Sequence, residues 1–204
     1  MTKVLTQYID LGAIYTPFKC VTDATAYNRT KLFCHTVYQH LYPDIQLLEH
    51  DSGDRNALIL YRENTAGEIS ATFRLALDCK NGLPEECFLK PLLAKRREQG
   101  MKIGEFGRWV NIDGIKGVKE SYACLYHIAK LLRLDTIAII TRMQYAKFHT
   151  EKIGAELLCP DIGAHFGSHH VFGAFAWDIL NTDEKFFKWA EIQLQADAWE
   201  AHDD

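Results

Sequence analysis

The chain is 204 residues long, 48% hydrophobic and 25% charged, which suits one globular domain over residues 1–204 with a sizeable core and excludes a disordered polypeptide. Its formal net charge of −4 argues against a general nucleic-acid binder. No apolar run approaches the roughly 20 residues of a membrane span, and the N-terminus lacks the basic and apolar regions of a secretory signal, so a cytoplasmic location is expected.

Residues 1–20 show no clear periodicity and read as a strand and loop laid over the core. Asp23 is placed to cap a helix. From Ala24 to about Tyr42, Ala26, Phe33, Val37 and Leu41 recur near helical spacing and stop at Pro43. Arg29 lies four residues before Phe33 and shares its face, either as a cation snorkelling at the edge of the core or as a site residue. Glu49–Asp54 is a polar turn whose Asp51 and Asp54 fit turn chemistry, a bound cation or a substrate ammonium. Ala57–Arg62 and Glu68–Leu77 predict a β-hairpin around Asn64–Gly67. Alternation along the second strand puts Ile69, Ala71, Phe73, Leu75 and Leu77 on one face. Arg74 falls on the other with Ser70 and Thr72, where a mid-strand charge requires a partner. The long connection 78–103 is broken by a short helix predicted from Pro91 to Glu98.

Glu105-Phe106-Gly107-Arg108-Trp109-Val110-Asn111-Ile112 embeds two charges in an otherwise apolar run and reads as an interior strand. Side chains three apart on a strand point to opposite faces unless an extra residue is inserted, and Gly107 marks the place for such a bulge. Glu105 and Arg108 then form either a chemical centre or a buried structural ion pair. Asp113–Lys119 leads into a helix carrying Tyr122, Leu125, Tyr126, Ile128, Ala129 and Leu132. Its start could receive a phosphate, but neither a dinucleotide fingerprint nor a P-loop is present. Thr136–Thr141 is a β-branched strand, followed by a helix from Arg142 to Ile153 that Gly154 closes. This order implies a right-handed crossover and at least two parallel strands. Residues 155–158 and 171–179 add strands, and Asp183–Ala198 reads as a C-terminal helix. The six cysteines lack C-x-x-C spacing and read as reduced thiols. Cys159, His165, His169 and His170 match no familiar zinc spacing, so no metal is expected.

Four of these pieces occur together: Arg29-x-x-x-Phe33 on a helix, Asp51-x-x-Asp54 in a turn, Arg74 on a strand and Glu105-x-x-Arg108 on the next. In order and approximate separation they resemble the signature of acyl-homoserine lactone synthases and of the related long-chain N-acyl amino acid synthases, both GNAT-fold acyltransferases. The resemblance covers most of residues 24–158, and Met143–Ala155 resembles the GNAT helix that ends in a glycine before a strand. This chain departs from the family in having Gly107 where Ser commonly precedes the central Arg, and Trp109 where Phe follows it. It also lacks the Trp expected shortly after Phe33, with Tyr38 and Tyr42 nearby instead.

The resemblance implies an α/β (α+β sandwich) GNAT fold, a mixed central sheet with a splayed central strand flanked by helices. It implies transfer of a fatty acyl group from an acyl-carrier-protein or acyl-CoA thioester to the amine of an amino-acid-type acceptor, with no tightly bound cofactor. Glu105 would accept the amine proton, and Arg108 would orient Glu105 or contact the donor. Arg29, Phe33, Asp51, Asp54 and Arg74 would shape the acceptor pocket, and Trp109, Val110, Asn111 and Ile112 would hold the donor. An acyl carrier protein is a candidate partner for Lys90, Lys95, Arg96, Arg97, Lys102, Lys116 and Lys119, unless these are merely a solvated surface. Two alternatives stand beside this reading. One is an acetyl-CoA-dependent GNAT N-acetyltransferase, whose pyrophosphate loop Lys116–Lys119 matches poorly; the other is a non-catalytic acyl-binding GNAT-like domain.

Overall fold

In a computed structural model of the chain, residues 16–43, 52–163 and 169–192 are described. Their seven strands form one sheet: β1 (Lys19–Cys20), β2 (Ala57–Glu63), β3 (Ile69–Leu77), β4 (Ile103–Asn111), β5 (Thr136–Arg142), β6 (Glu156–Cys159) and β7 (Phe172–Asp178). The order across the sheet is β1-β2-β3-β4-β5-β7-β6, and every neighbouring pair is antiparallel except β4 and β5. A parallel pair needs a crossover, and the helix α3 (Gly114–Leu131) supplies it.

Helix α1 (Ala24–Leu41) begins where the Asp23 carboxylate accepts the Ala26 N–H at 2.8 Å, satisfying one of the orphan donors of the first turn. It covers one face of the sheet together with α2 (Glu86–Glu98), whose Leu89 and Leu93 pack on Ile103, Ala138 and Ala174. The short α4 (Ala146–Phe148) and α5 (Glu184–Ala190) join α3 on the other face. There Tyr122, Leu125 and Ile128 of α3 meet Phe73, Leu75, Phe106, Ile137, Phe175 and Trp177 in the main core. The alternation expected for β3 holds. The Arg74 face lies under α1 and its charge has the partners a buried position requires, so the strand is buried on both sides.

Three elements differ from expectation. Helix α2 starts at Glu86, so Pro91 lies inside it; the Glu86 carboxylate accepts the Leu83 N–H at 3.0 Å and nucleates the helix upstream of the proline. The single helix expected from Arg142 to Ile153 is instead a 3₁₀ turn (Met143–Tyr145), the short α4 and a π-helical turn (His149–Ile153), closed as expected by Gly154 at φ +76°. That winding turns His149 and Ile153 inward. Helix α5 is capped by the Asp183 side chain and ends at Ala190, where Glu191 takes a left-handed backbone (φ +59°), short of the expected Ala198; residues 193–198 lie outside the described residues. Among the described residues no helix is long and apolar enough to cross a membrane, and no cluster of side chains could hold a metal; His165 of the expected cluster lies outside them.

Candidate active site

Two irregularities in β4 create the site. The parallel pairing with β5 runs from Ile103–Thr136 to Phe106–Ile139 and stops, although both strands continue, so they splay apart. On the opposite edge, Arg74 of β3 faces Gly107 and Thr72 faces Val110, which leaves Phe73 alone opposite Arg108 and Trp109. This is the expected bulge, placed one residue later than the glycine. Arg108 itself adopts the left-handed conformation, φ +49°. Such a backbone in a residue with a side chain costs on the order of 1–2 kcal/mol and persists where the surroundings enforce it.

The glycine at 107 answers a different requirement. A Cβ there would stand 3.3 Å from Glu105 Oε1 and 3.5 Å from Arg74 Nη2, so the missing side chain lets a buried ion pair lie against the strand. Arg74 Nη2 donates to Glu105 Oε1 at 3.4 Å and its Nη1 to Asp54 Oδ1 at 3.2 Å. Asp54 Oδ2 also accepts from Arg108 Nη1 at 3.1 Å and from the Tyr27 hydroxyl at 2.7 Å. Glu105 Oε2 accepts the Glu85 N–H at 2.9 Å. Asp54 thus bridges two arginines, and Arg74 bridges two carboxylates. A water-sized cavity of about 20 Å³ under α1 touches Tyr27, Thr30, Cys34, Thr72, Arg74 and Arg108. Burial pushes the Glu105 carboxyl up to about 7 against the opposing pull of Arg74, and burial pushes the Cys34 thiol up to about 11.

The splay opens a cleft of about 530 Å³ that passes through the sheet. On the α1 side its walls are Val37, Tyr38, Leu41 and Tyr42; between the strands they are Phe106, Gly107, Trp109, Val110, Ile139 and Ile140; on the far side they are Ile115, Val118, Tyr122, Phe148 and His149. Most of this lining is apolar or aromatic. Burial pushes the His149 imidazole down to about 4, so it is neutral at physiological pH.

The structure brings together Asp54, Arg74, Glu105 and Arg108 among the residues singled out in the sequence, and places Trp109, Val110 and Asn111 on the cleft wall. It does not bring the others there. Arg29 reaches the β2–β3 hairpin instead, donating to Gly67 O at 2.7 Å and pairing with Glu63 at 2.9 Å. Phe33 is half-buried and lines neither the cavity nor the cleft. The Ile112 N–H donates to Ser70 O at 3.0 Å and so faces β3. Strand amides alternate in direction, which turns Val110 the same way and Asn111 toward the opening. Asp51 lies outside the described residues. Glu105 itself is 2% exposed and sits behind Gly107 rather than on the cleft wall.

Sequence reasoning passed over Tyr27, Glu85, Arg142, Tyr145, Phe148 and His149 as site residues. Only Tyr27 carried a signal, since it lies on the α1 turn before Thr30 and Cys34.

No family model and no curated protein sequence matches the chain. Solved structures do. FeeM, an N-acyl amino acid synthase from uncultured soil microbes, superposes with a TM-score of 0.70 at 14% identity, over 80% of this chain and 90% of that one. The acyl-homoserine lactone synthase LasI gives a TM-score of 0.64 at 13% identity, over 85% and 93%. An N-acetyltransferase from Staphylococcus aureus gives 0.55 at 11% identity, over 80% and 97%. The splayed β4–β5 pair, the mixed seven-stranded sheet and these superpositions together show that the chain has the GNAT fold, the α/β architecture of this group of acyltransferases.

Proposed function

We propose that the chain is a single-domain N-acyltransferase that moves a fatty acyl group from a thioester to the amine of an amino-acid-type acceptor. The observation that carries this reading is the through-sheet cleft meeting the buried Asp54–Arg74–Glu105–Arg108 cluster at Gly107. The structures it resembles include an N-acyl amino acid synthase and an acyl-homoserine lactone synthase.

In this mechanism the thioester carbonyl lies against the unpaired edge of β4, where main-chain donors such as the Asn111 N–H face the developing oxyanion. The neutral amine attacks the carbonyl carbon, the C–N bond forms and the C–S bond breaks. The amine proton passes through a water at the side-chain-free Gly107 position to Glu105, whose carboxyl near 7 suits a base at neutral pH. The thiolate leaves and takes a proton from solvent. Arg74 orients Glu105, Asp54 fixes both arginines, and Arg108 faces the acceptor. No tightly bound cofactor is required, and we place the enzyme in the cytoplasm, consistent with its six free cysteines.

An acetyl-CoA-dependent reading is less well supported. The cleft is far larger than an acetyl group needs, and at the start of α3 the carboxylates of Asp113 and Glu120, paired with Arg62, occupy the end where a pyrophosphate would require positive charge. For a carrier-protein donor, the cations named in the sequence do not form one patch. Helix α2 ends near the start of β4 and α3 begins near its end, nine residues or about 30 Å along a strand. Arg96 and Arg97 are also already paired with Glu156, Asp78 and Glu86. Lys116 and Lys119, beside Ile115 and Val118 of the cleft wall, are paired as well, with Glu120 and Glu191, so pairing alone singles out neither end for carrier docking.

The test is expression in a bacterial host, solvent extraction, and mass spectrometry for N-acyl compounds missing from a Glu105→Gln control. New long-chain N-acyl amines support the reading. No product while a fatty acyl ligand still binds would make this a non-catalytic acyl-binding domain.

A further inference from the structure

Arg29, Arg62, Arg74, Arg96, Arg97 and Arg108 each pair with a carboxylate. Arg142 does not, among the described residues. It sits half-buried at the end of β5, where it lines the acyl cleft, and its guanidinium carbon lies 5.3 Å from the ring centre of Tyr42 and 5.2 Å from that of Tyr145. Its hydrogen-bond partner is neutral, the Tyr145 hydroxyl at 3.0 Å from Nη2. Alternation along β5 puts Arg142 on the face of Ala138 and Ile140, the α1 side, which is also the side of the Arg74–Glu105 pair. Two tyrosine rings therefore fix the plane of a cation whose remaining N–H donors have no counter-ion among the described residues, in the wall of a largely apolar cleft.

A fixed, partly desolvated guanidinium with open donors is built for a planar anion, and a carboxylate matches its fork with two parallel bonds. We propose that Arg142 is the carboxylate-binding residue of the acceptor site, selecting acceptors that carry a free carboxylate over neutral amines. The identity of that ligand as the acceptor rests on the acyl-transfer reading; the carboxylate subsite itself does not. Tyr42 and Tyr145 are positioning residues that hold the guanidinium plane.

The test uses calorimetric binding of three probes to wild type, Arg142→Gln and Arg142→Lys. The probes are an N-dodecanoyl amino acid, its primary carboxamide, and a carboxamide whose only carboxylate is at the far end of the acyl chain. Wild type should prefer the acid to its carboxamide by about 10- to 100-fold, the range of a charge-assisted hydrogen bond. The preference should vanish in Arg142→Gln and partly persist in Arg142→Lys. Equal binding of acid and carboxamide by wild type, or a preference that survives Arg142→Gln, overturns the proposal. An Arg142-dependent gain for the far-end carboxylate alone overturns its assignment to the acceptor. If the acid preference is present but no N-acyl product forms from any amine and acyl thioester, the acyl-transfer reading fails while the subsite stands.

Discussion

Replacing Glu105 by Gln should make the stability difference from wild type depend on pH, by an amount fixed by where the carboxyl sits. In the unfolded chain it titrates at its ordinary 4.5, and in the fold at about 7, because burial outweighs the attraction of Arg74. Between these values the folded protein holds the proton more tightly than the unfolded one, so wild-type stability falls as pH rises from about 4.5 to about 7. From pH 5 to pH 8 that linkage amounts to roughly 2 to 3 kcal/mol. Gln does not titrate and lacks this loss. Whatever fixed cost it carries from facing the Arg74 donors, its stability relative to wild type should improve by roughly 2 to 3 kcal/mol between pH 5 and pH 8. Urea unfolding of both proteins at the two pH values measures this as a double difference, in which every other titrating group cancels. A pH-independent difference would mean that Glu105 ionises as if in water, and the base role would lose its physical footing.

Gly107→Ala should leave the fold intact but reduce turnover by about tenfold or more, some 1.4 kcal/mol of barrier, since a methyl at 3.3 Å from Glu105 Oε1 closes the proton path. Steady-state kinetics beside a thermal melt separates this from a stability loss. Ile140→Trp, on the cleft wall, should shift the products toward shorter acyl chains, read by mass spectrometry. Trp177→Ala should cost about 3–5 kcal/mol in urea unfolding, because Trp177 is fully buried between Tyr122, Tyr126 and Phe186.

Much of the sheet was legible because strand alternation and turn chemistry are local. The β2–β3 hairpin forms where Asn64 and Gly67 place it: Asn64 Oδ1 accepts the Ala66 and Glu68 N–H groups, and Gly67 takes φ +78°. Arg74 falls on the face its neighbours predict. What was not legible depends on reach and on long-range packing. Helical spacing puts Arg29 on the face of Phe33, but the length of its side chain carries it to Glu63 on another element. The bulge was visible as a conflict between two charges three residues apart. Its site at Arg108 was not, because Asp54, 54 residues away, holds that side chain. Arg142 reads in sequence as the first residue of a helix; antiparallel pairing with Phe172 keeps it at the end of β5. The π turn at His149 leaves no periodic mark, because it breaks the period used to find helices.

The distribution of local costs separates the buried cluster from an ordinary structural network. Arg62, Asp113 and Glu120 also join a strand to a helix, but their side chains are 11–28% exposed and none takes a left-handed backbone, so they tie β2 to the start of α3 at a smaller desolvation cost. The Arg74–Glu105 pair is 2–3% exposed, and charges so buried are often no more stabilising than apolar residues of the same volume. Beside it, Arg108 takes a left-handed backbone and Gly107 gives up a side chain in mid-strand. Three departures from the most stable choice thus fall within four consecutive residues, at the point where β4 leaves β5. Packing alone would be served better by an unbroken apolar strand. Departures concentrated at one mouth of one cleft are what a site built for chemistry would show, and in the proposed mechanism Gly107 is where substrate and carboxyl meet.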